Sequence, residues 1–497
     1  MRAAAAAFSR AIAADSTFWF AYWRHAWARE FHALPVDPAV TRTYLAHLAD
    51  FPVADRLLIE ARTTAGLNER LAQLDSLVSQ FPDYWPGWFE LGEVRLRLAP
   101  FAGGTLAEAE SPLRRAVSLN RDFVPGWDRL LWVAIAKRDT VLSARVLGEL
   151  ERLRYDTTSV RDDRLDMLLV YRHLDHLART GGVPDQALAD SLARALATGY
   201  RPSANGMPDR MQSGFARYEF HGARIDLAAR ELKAGLVPPG FQWQVIAYSW
   251  AGRGAWDSAL VVLDRAQGNR VRPVGARLNG YRLAAVGAWL GAVDPPVAAS
   301  WRDRAATSYD RMGSQERAEF AWVDGLLAAT RRDAPALTRA REALRQTRAP
   351  EVGLLDSSLA AFTADLAGDR ARALELLLAL ENDRYRVAES HPFLTGVNRL
   401  TAGQWLSAAG ETAKAARLLT WHEAIGNPGA HSTHANALLA PLAYLARARI
   451  LEAQGHRDVA RDHYGRFLSN YDAPAPTSAV ARQVAEARAA LQRMVRQ

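Results

Sequence analysis

The chain has 497 residues, of which 49% are hydrophobic and 23% are charged, and it contains no cysteine. This balance is that of a folded protein rather than a disordered one, and the length suits several domains or one extended repeat array. The lack of cysteine excludes disulfides, thiolate metal sites and cysteine nucleophiles. The net charge of +8 comes almost entirely from arginine, because only Lys137, Lys233 and Lys414 are lysines.

The alanine-rich start of the chain does not have the pattern of a signal peptide or a membrane span. Its apolar run is interrupted by Ser9 and Arg10, and the best later candidate, residues 435–446, runs into Arg447. We therefore expect no membrane segment in this chain. We expect a cytoplasmic protein, or a periplasmic one if a membrane anchor precedes the chain.

A glycine, an alanine five residues later and a large residue four positions after that recur along the chain. The five sets are Gly104–Ala109–Leu113, Gly254–Ala259–Leu263, Gly368–Ala373–Leu377, Gly410–Ala415–Leu419 and Gly455–Ala460–Tyr464. In the last four sets a small residue lies twelve positions before the alanine, at Ala247, Ala361, Gly403 and Ala448.

This spacing predicts helical hairpins. Glycine adopts the positive φ that ends one helix, and the alanine and the upstream small residue lie where two antiparallel helices approach most closely. The large residue, one turn after the alanine, fills the space between hairpins. Since no segment alternates with a period of two, the sequence predicts an all-α fold.

Tryptophan motifs accompany these sets, at Trp88-x2-Leu91-Gly92, Trp127-x2-Leu130 and Trp243-x2-Ile246-Ala247. Together they resemble the tetratricopeptide repeat (TPR), whose signature is W-x2-L-G-x2-Y followed by A-x3-F. Arg95 takes the tyrosine position after Trp88, so the match is incomplete. The resemblance implies a right-handed TPR-like α-solenoid of stacked antiparallel helix hairpins.

We expect four segments along this solenoid. They are a TPR-like array over 1–155 that begins in mid-repeat, a divergent helical segment over 156–240, a second array over 241–475 and a closing helix over 476–497. Residues 83–117 are similar to the TPR regions attached to bacterial signalling kinases or transcriptional regulators. This resemblance implies a covalent link to an upstream effector domain.

The residues that could take part in catalysis or metal binding also have simple structural explanations. His456-Arg457-Asp458 matches a kinase motif by letter only, and we assign it to a repeat turn. We expect a solvated loop for His431 and His434, a helix surface for His173 and His176, and a first helical turn for Asp162, Asp163 and Asp166. We therefore predict no catalytic residue, no cofactor and no metal site.

The resemblance also implies which residues line a concave groove. In a TPR array these residues lie one, five and eight positions after each tryptophan position. The groove residues predicted in this way are Trp23, Trp27, Phe89, Glu93, Asp128, Trp132, Gln244, Tyr248, Phe362, Gln404 and Arg449. On an open groove the aromatic residues would anchor a peptide or a helix. The alternative is that these side chains pack against neighbouring helices.

The leading functional hypothesis is a non-catalytic TPR scaffold for protein–protein interaction, as the regulatory part of a bacterial signalling or transcription-control protein. One alternative is a sensory domain that binds a small molecule or peptide in its groove. Another is an all-helical toroid that acts on glycans, which would need two carboxylates at one end. Nucleic acid is not an expected partner, because arginine alternates with aspartate, as in residues 161–164.

Overall fold

The computed structural model describes residues 2–30, 36–153, 167–199, 218–233, 240–267, 273–383, 391–425, 430–472, 474 and 478–496. All regular structure in these ranges is helical, which confirms the prediction of an all-α fold. The chain forms two compact units. Unit 1 comprises Met1–Ala99, Thr105–Gly181 and Thr198–Arg201, and unit 2 comprises Pro100–Gly104, Gly182–Ala197 and Pro202–Gln497.

Unit 1 is a stack of helices joined by short turns. Its helices are α1 (Arg2–Ala14), α2 (Trp19–Glu30), α3 (Pro38–Ala46), α4 (Val53–Thr63), α5 (Leu67–Gln80), α6 (Trp85–Arg97), α7 (Glu110–Leu119), α8 (Val124–Lys137), α9 (Thr140–Arg152) and α10 (Met167–Arg179). Hairpins form because α6 packs against α7 and α8 against α9. The first helices of successive hairpins, α4, α6, α8 and α10, also contact one another in that order.

Helices α6 and α8 begin in the same way. Each has a proline in its first turn, where the missing N–H costs nothing. The indole N–H of Trp88 donates to the carbonyl of Pro82 at 2.9 Å, and that of Trp127 donates to the carbonyl of Arg121 at 2.8 Å. Both tryptophans therefore fix the turn six residues upstream, which explains why they recur at the start of a hairpin.

Unit 2 contains six hairpins and a closing helix among its described residues. Its helices are α11 (Gln186–Gly199), α12 (His221–Lys233), α13 (Gly240–Gly252), α14 (Trp256–Gln267), α15 (Pro273–Trp289), α16 (Pro295–Ala306), α17 (Ser314–Thr330), α18 (Ala334–Gln346), α19 (Val352–Leu366), α20 (Arg370–Ala379), α21 (Pro392–Ala408), α22 (Thr412–Leu418), α23 (Ala430–Ala453), α24 (Arg457–Asn470) and α25 (Ala479–Arg496). The hairpins pair α13 with α14 and so on to α23 with α24, and α25 packs against α24.

The first helices of unit 2 form a closed set. Helix α15 contacts α17, α17 contacts α19, α19 contacts α21 and α21 contacts α23. Helix α13 contacts both α15 and α23, so the first and last hairpins of the array meet. The inward sides of these helices consequently face one another and form the core of this unit.

Four hairpins of unit 2 turn at the predicted glycine. Gly254, Gly368, Gly410 and Gly455 have φ between 82° and 86°, which side chains other than glycine adopt only at a cost. In each turn the residue after the glycine donates its N–H to a carbonyl five positions back, as from Ala255 to Trp250 at 3.0 Å. This is the Schellman arrangement, which satisfies the last carbonyls of the helix.

The alanines of all five sets lie at the predicted close contact. Ala109, Ala259, Ala373, Ala415 and Ala460 are each 0% exposed. In the fourth set the upstream position has no room for a side chain, since a Cβ on Gly403 would lie 2.9 Å from Leu419. The first set departs in one respect, because the residue with positive φ is Gly103 and not Gly104.

Two hairpins turn in the same way without glycine, and the sequence pattern missed them. Arg138 and Arg332 have φ of 57° and 55°, and the residue after each makes the same hydrogen bond to a carbonyl five positions back. That next residue is Asp139 or Asp333, whose carboxylate accepts a backbone N–H of the following helix at 2.9 Å. The N-cap supplied by Arg-Asp marks these turns.

Candidate partner-binding surfaces

In unit 1, three of the four aromatic residues predicted to line a groove, Trp23, Trp27 and Phe89, are buried inside the unit. The ring centres of Trp23 and Trp27 are 5.7 Å apart, and Trp27 lies 6.0 Å from Trp85. Phe123 contacts both Trp85, at 4.4 Å, and Phe89, at 4.9 Å. Trp23 and Phe89 are 1% exposed, so they offer no surface to a partner. Of these five rings, Trp85 alone is half-buried and reaches the surface.

Charged side chains bridge the first helices of unit 1. Arg62 on α4 pairs with Glu30 on α2 and with Glu90 on α6, and Arg70 also pairs with Glu90. The Glu90 side chain is only 4% exposed. Burial alone would raise the pKa of Glu90, but the two guanidinium groups outweigh it and hold this pKa below its ordinary value. Glu90 is therefore a buried carboxylate that depends on its arginines.

A second bridge contains three of the predicted residues, Glu93, Asp128 and Trp132. Arg129 on α8 pairs with both carboxylates. Its guanidinium also lies 4.2 Å from the centre of the Trp132 ring. The indole N–H of Trp132 donates to the hydroxyl of Tyr171 on α10 at 3.0 Å. The half-buried indole of Trp132 is thus held in one orientation at the surface.

The partly exposed residues of these bridges and of the stacked rings are together called the Trp–Arg face, which we define by Arg24, Arg62, Trp85, Arg97, Arg129 and Trp132. Arg24 lies over the Trp27 ring at 5.0 Å and pairs with Asp55, while Arg97 pairs with Glu93 at 2.9 Å. The sequence analysis missed these arginines. A sequence signal for the bridges does exist. A charged residue lies two positions after the aromatic residues Tyr22, Trp88 and Trp127, at Arg24, Glu90 and Arg129.

In unit 2, two predicted groove residues belong to the core. Tyr248 is 0% exposed and stacks on His434 at 4.4 Å, and Phe362 is 6% exposed. Because the first helices of unit 2 form a closed set, their inward side chains pack against each other and not against solvent. Gln244 is half-buried, and Gln404 and Arg449 are exposed.

Arg449 lines a cavity in unit 2. The cavity has a volume of about 340 Å³ and lies between α23, α24 and α25. Leu445, Arg449 and Glu452, which occupy the three groove positions of the last hairpin, form one wall of it.

The residues considered for chemistry are placed mostly in packing roles. His456 precedes α24, as the assignment of His456-Arg457-Asp458 to a turn requires. His173 and His434 are each 1% exposed, so the expectations of a helix surface and a solvated loop are wrong for them. The side chain of His431 and residues 162, 163 and 166 lie outside the described residues. Among the described residues no group of three side chains could hold a metal ion.

Carboxylates also lie at the start of two first helices in the closed set of unit 2. Glu319 on α17 pairs with Arg282, and Glu351 before α19 accepts a hydrogen bond from Gln315 at 3.2 Å. Both contact side chains of their own unit, and the second carboxylate oxygen of Glu351 is buried without a hydrogen-bond partner among the described residues.

None of the helices that the structure describes has the length and the apolar character needed to cross a membrane.

Comparisons with known proteins find structural likenesses alone. No family model and no curated protein matches the chain. Yeast Tom70 superposes with a TM-score of 0.32 and 13% identity, over 89% of this chain and 97% of Tom70. The TPR domain of P58(IPK) gives 0.19 and 12%, over 90% and 100%. A Naa15/Naa10 structure bound to HypK gives 0.22 and 12%, over 99% and 80%. TM-scores this low establish neither a common function nor a common partner.

Proposed function

We propose that this chain is a non-catalytic scaffold that binds other proteins, and that the Trp–Arg face of unit 1 is its binding surface. One observation carries the proposal. The face combines half-buried tryptophans with arginines that are already paired with carboxylates of the same unit. Tryptophan and arginine are the residues that most often dominate the energy of protein–protein interfaces.

The charge balance of this face favours a protein partner over nucleic acid. Each of its four arginines pairs with at least one carboxylate, so the face presents no block of unpaired positive charge to phosphates. Nucleic-acid affinity depends on such charge, because it comes largely from the release of counterions. The same pairs hold the arginines in place before a partner arrives, which lowers the entropy cost of binding.

The proposal can be tested with peptides selected on the full-length protein from a displayed random library. We expect the tightest binders to depend on Trp132 and Arg97, so that Trp132→Ala and Arg97→Ala each weaken binding about tenfold or more. The matched control is Arg145→Ala, which alters an exposed arginine on α9, the second helix of the same hairpin. Fluorescence polarisation with labelled peptides gives the dissociation constants.

The control variant distinguishes binding at the Trp–Arg face from non-specific binding to the protein surface. If Arg145→Ala weakens binding as much as Trp132→Ala does, the peptides bind through bulk charge and the proposal fails. Selected peptides that bind both face variants as tightly as the wild type would also contradict it. Circular dichroism and thermal unfolding of each variant show whether a loss of binding reflects a loss of fold.

We further propose that the scaffold regulates a bacterial signalling or transcription-control protein. The support is the similarity of residues 83–117 to TPR regions of that kind. The sequence encoded in frame upstream tests this setting. A kinase or DNA-binding domain there would support it, and an unrelated domain would contradict it.

A further inference from the structure

The cavity between α23, α24 and α25 has a charge pattern that the scaffold function does not explain. Arg449 on α23 donates to Glu486 on α25 at 2.6 Å, and Arg493 on α25 donates to Glu452 on α23 at 3.3 Å. Two positive and two negative groups therefore alternate around one opening, and the site carries no net charge.

One of these carboxylates, that of Glu452, is held in place by a buried hydrogen-bond donor. The hydroxyl of Tyr464 on α24 donates to Glu452 at 2.6 Å, and Tyr464 is only 3% exposed. Burial, followed by this hydrogen bond and the nearby charge of Glu452, raises the pKa of Tyr464, so the phenol stays protonated and remains a donor. Glu452 is thus the one charged group of the cavity with a buried partner.

The other charged groups can exchange partners with a ligand. The side chains of Arg449, Glu486 and Arg493 are 48%, 64% and 60% exposed. Exposed ion pairs contribute little to stability, because solvent screens them and long side chains lose entropy in forming them. A ligand that supplies its own positive and negative groups can therefore replace both bridges at small cost.

We propose that this cavity binds a small zwitterion, namely a free α-amino acid. Its ammonium group would take the place of Arg493 beside Glu452, and its carboxylate would meet the guanidinium of Arg449. These two residues are three positions apart on α23, so they lie on the same side of the helix, and both line the cavity. A ligand whose positive and negative groups are close together can therefore meet both.

The remaining walls indicate which amino acids fit. Leu445 of α23 and Ala487 and Ala490 of α25 border the cavity but are at most 2% exposed, so they form a packed apolar base beneath the charged groups. A ligand side chain would lie over methyl groups there and not over a further charge. The volume of about 340 Å³ lies near the lower end of small-molecule sites. The two carboxylates disfavour nucleotides and other polyanions. This proposal concerns unit 2, and it goes beyond the protein-binding function assigned to unit 1.

Isothermal titration calorimetry on the full-length protein tests the proposal. The panel consists of leucine, isoleucine, valine, methionine and phenylalanine, with leucinamide and N-acetylleucine as analogues that each lack one charge. We expect at least one amino acid to bind, and both analogues of leucine to bind about tenfold more weakly than leucine or not at all. Dileucine, whose charges are further apart, forms a separate arm and is expected to bind more weakly than leucine.

Two variants test whether the amino acid binds in this cavity. Glu452→Gln keeps the shape and the hydrogen bond to Tyr464 but removes the charge, and we expect it to weaken binding at least about tenfold. Arg461→Gln is the matched control, because Arg461 forms an exposed pair with Asp458 on α24 and does not line the cavity. The proposal is overturned if no amino acid of the panel binds the wild type, if the analogues or dileucine bind as tightly as leucine, or if Glu452→Gln and Arg461→Gln behave alike. None of these outcomes depends on peptide binding by unit 1.

Discussion

The two units build the same hairpin, but they rely to different degrees on glycine turns and on buried charge. In unit 2 four hairpins turn at glycine and bring alanines into contact, while the α8–α9 hairpin of unit 1 turns at Arg138 and brings Ser143 to the equivalent place. Arginine–carboxylate bridges join first helices in both units, but the carboxylate Glu90 of unit 1 is 4% exposed, whereas Glu319, which pairs with Arg282 in unit 2, is 24% exposed. The difference shows that the spacing of the hairpin is shared, but that the residues that stabilise it are not.

The comparison predicts that unit 1 is sensitive to the loss of a single charge. Arg62→Met leaves Glu90 buried with one arginine, and we expect the free energy of unfolding of unit 1 to fall by about 3–5 kcal/mol. Denaturant unfolding followed by tryptophan fluorescence gives this value. Arg145→Met, at an exposed site on α9, should change it little. Equal stability of Arg62→Met and the wild type would show that the bridges do not hold unit 1.

Unit 2 should instead be sensitive to added volume at an alanine. Ala373 is packed against Ala361, Leu377 and Ala402, so Ala373→Leu has no space and should lower the free energy of unfolding by about 2–3 kcal/mol. Ala371→Leu, at an exposed position of the same helix, is the control. The close contact would be refuted if both variants unfolded at the same denaturant concentration.

Buried histidines give unit 2 a predicted pH dependence. Burial lowers the pKa of His221 to about 4 and that of His463 to about 3. Because an unfolded histidine binds its proton near pH 6.5, the unfolded state gains protons first on acidification, and stability falls below about pH 6.5. We expect His221 alone to contribute a loss of roughly 2 kcal/mol at about pH 5.

Urea unfolding at neutral pH and at about pH 5 measures this effect. His221→Gln should show a smaller loss on acidification than the wild type, whereas His456→Gln, at an exposed position before α24, should behave as the wild type does. A wild-type protein as stable at about pH 5 as at neutral pH would contradict the prediction.

The smallest expected effect concerns the turns themselves. Gly368→Ala places a side chain at φ of 85° and should cost about 1 kcal/mol, while Arg138→Gly relieves a φ of 57° and should stabilise unit 1 by about 0.5 kcal/mol. Thermal unfolding of the two variants compares them directly. If both variants were more stable than the wild type, or both less stable, the two turns would not be equivalent.

The sequence predicted four hairpins of unit 2 because their turn and their contact both require small residues. Ala259 and Ala415 are buried where the pattern placed them. The pattern did not find the turns at Arg138 and Arg332, because an N-cap aspartate can compensate for a strained residue in place of glycine.

The candidate sites were less predictable than the fold. Tyr248 and Phe362 were assigned to a groove, but the contact between α13 and α23 encloses the first helices of unit 2, and a contact so distant in sequence leaves no local signal. The bridges of unit 1 were not predicted for the same reason, because Arg62 and Glu90 are 28 residues apart and on different helices. Arg449 was predicted to line a groove, and the structure places it at the cavity between α23, α24 and α25.

Hydrogen–deuterium exchange of the full-length protein with and without a selected peptide tests the binding face most directly. We predict that the peptide slows exchange in α6 and α8, the first helices that carry Trp85, Arg97, Arg129 and Trp132. Protection confined to the second helices α7 and α9, or to unit 2, would contradict the assignment of the Trp–Arg face as the protein-binding surface.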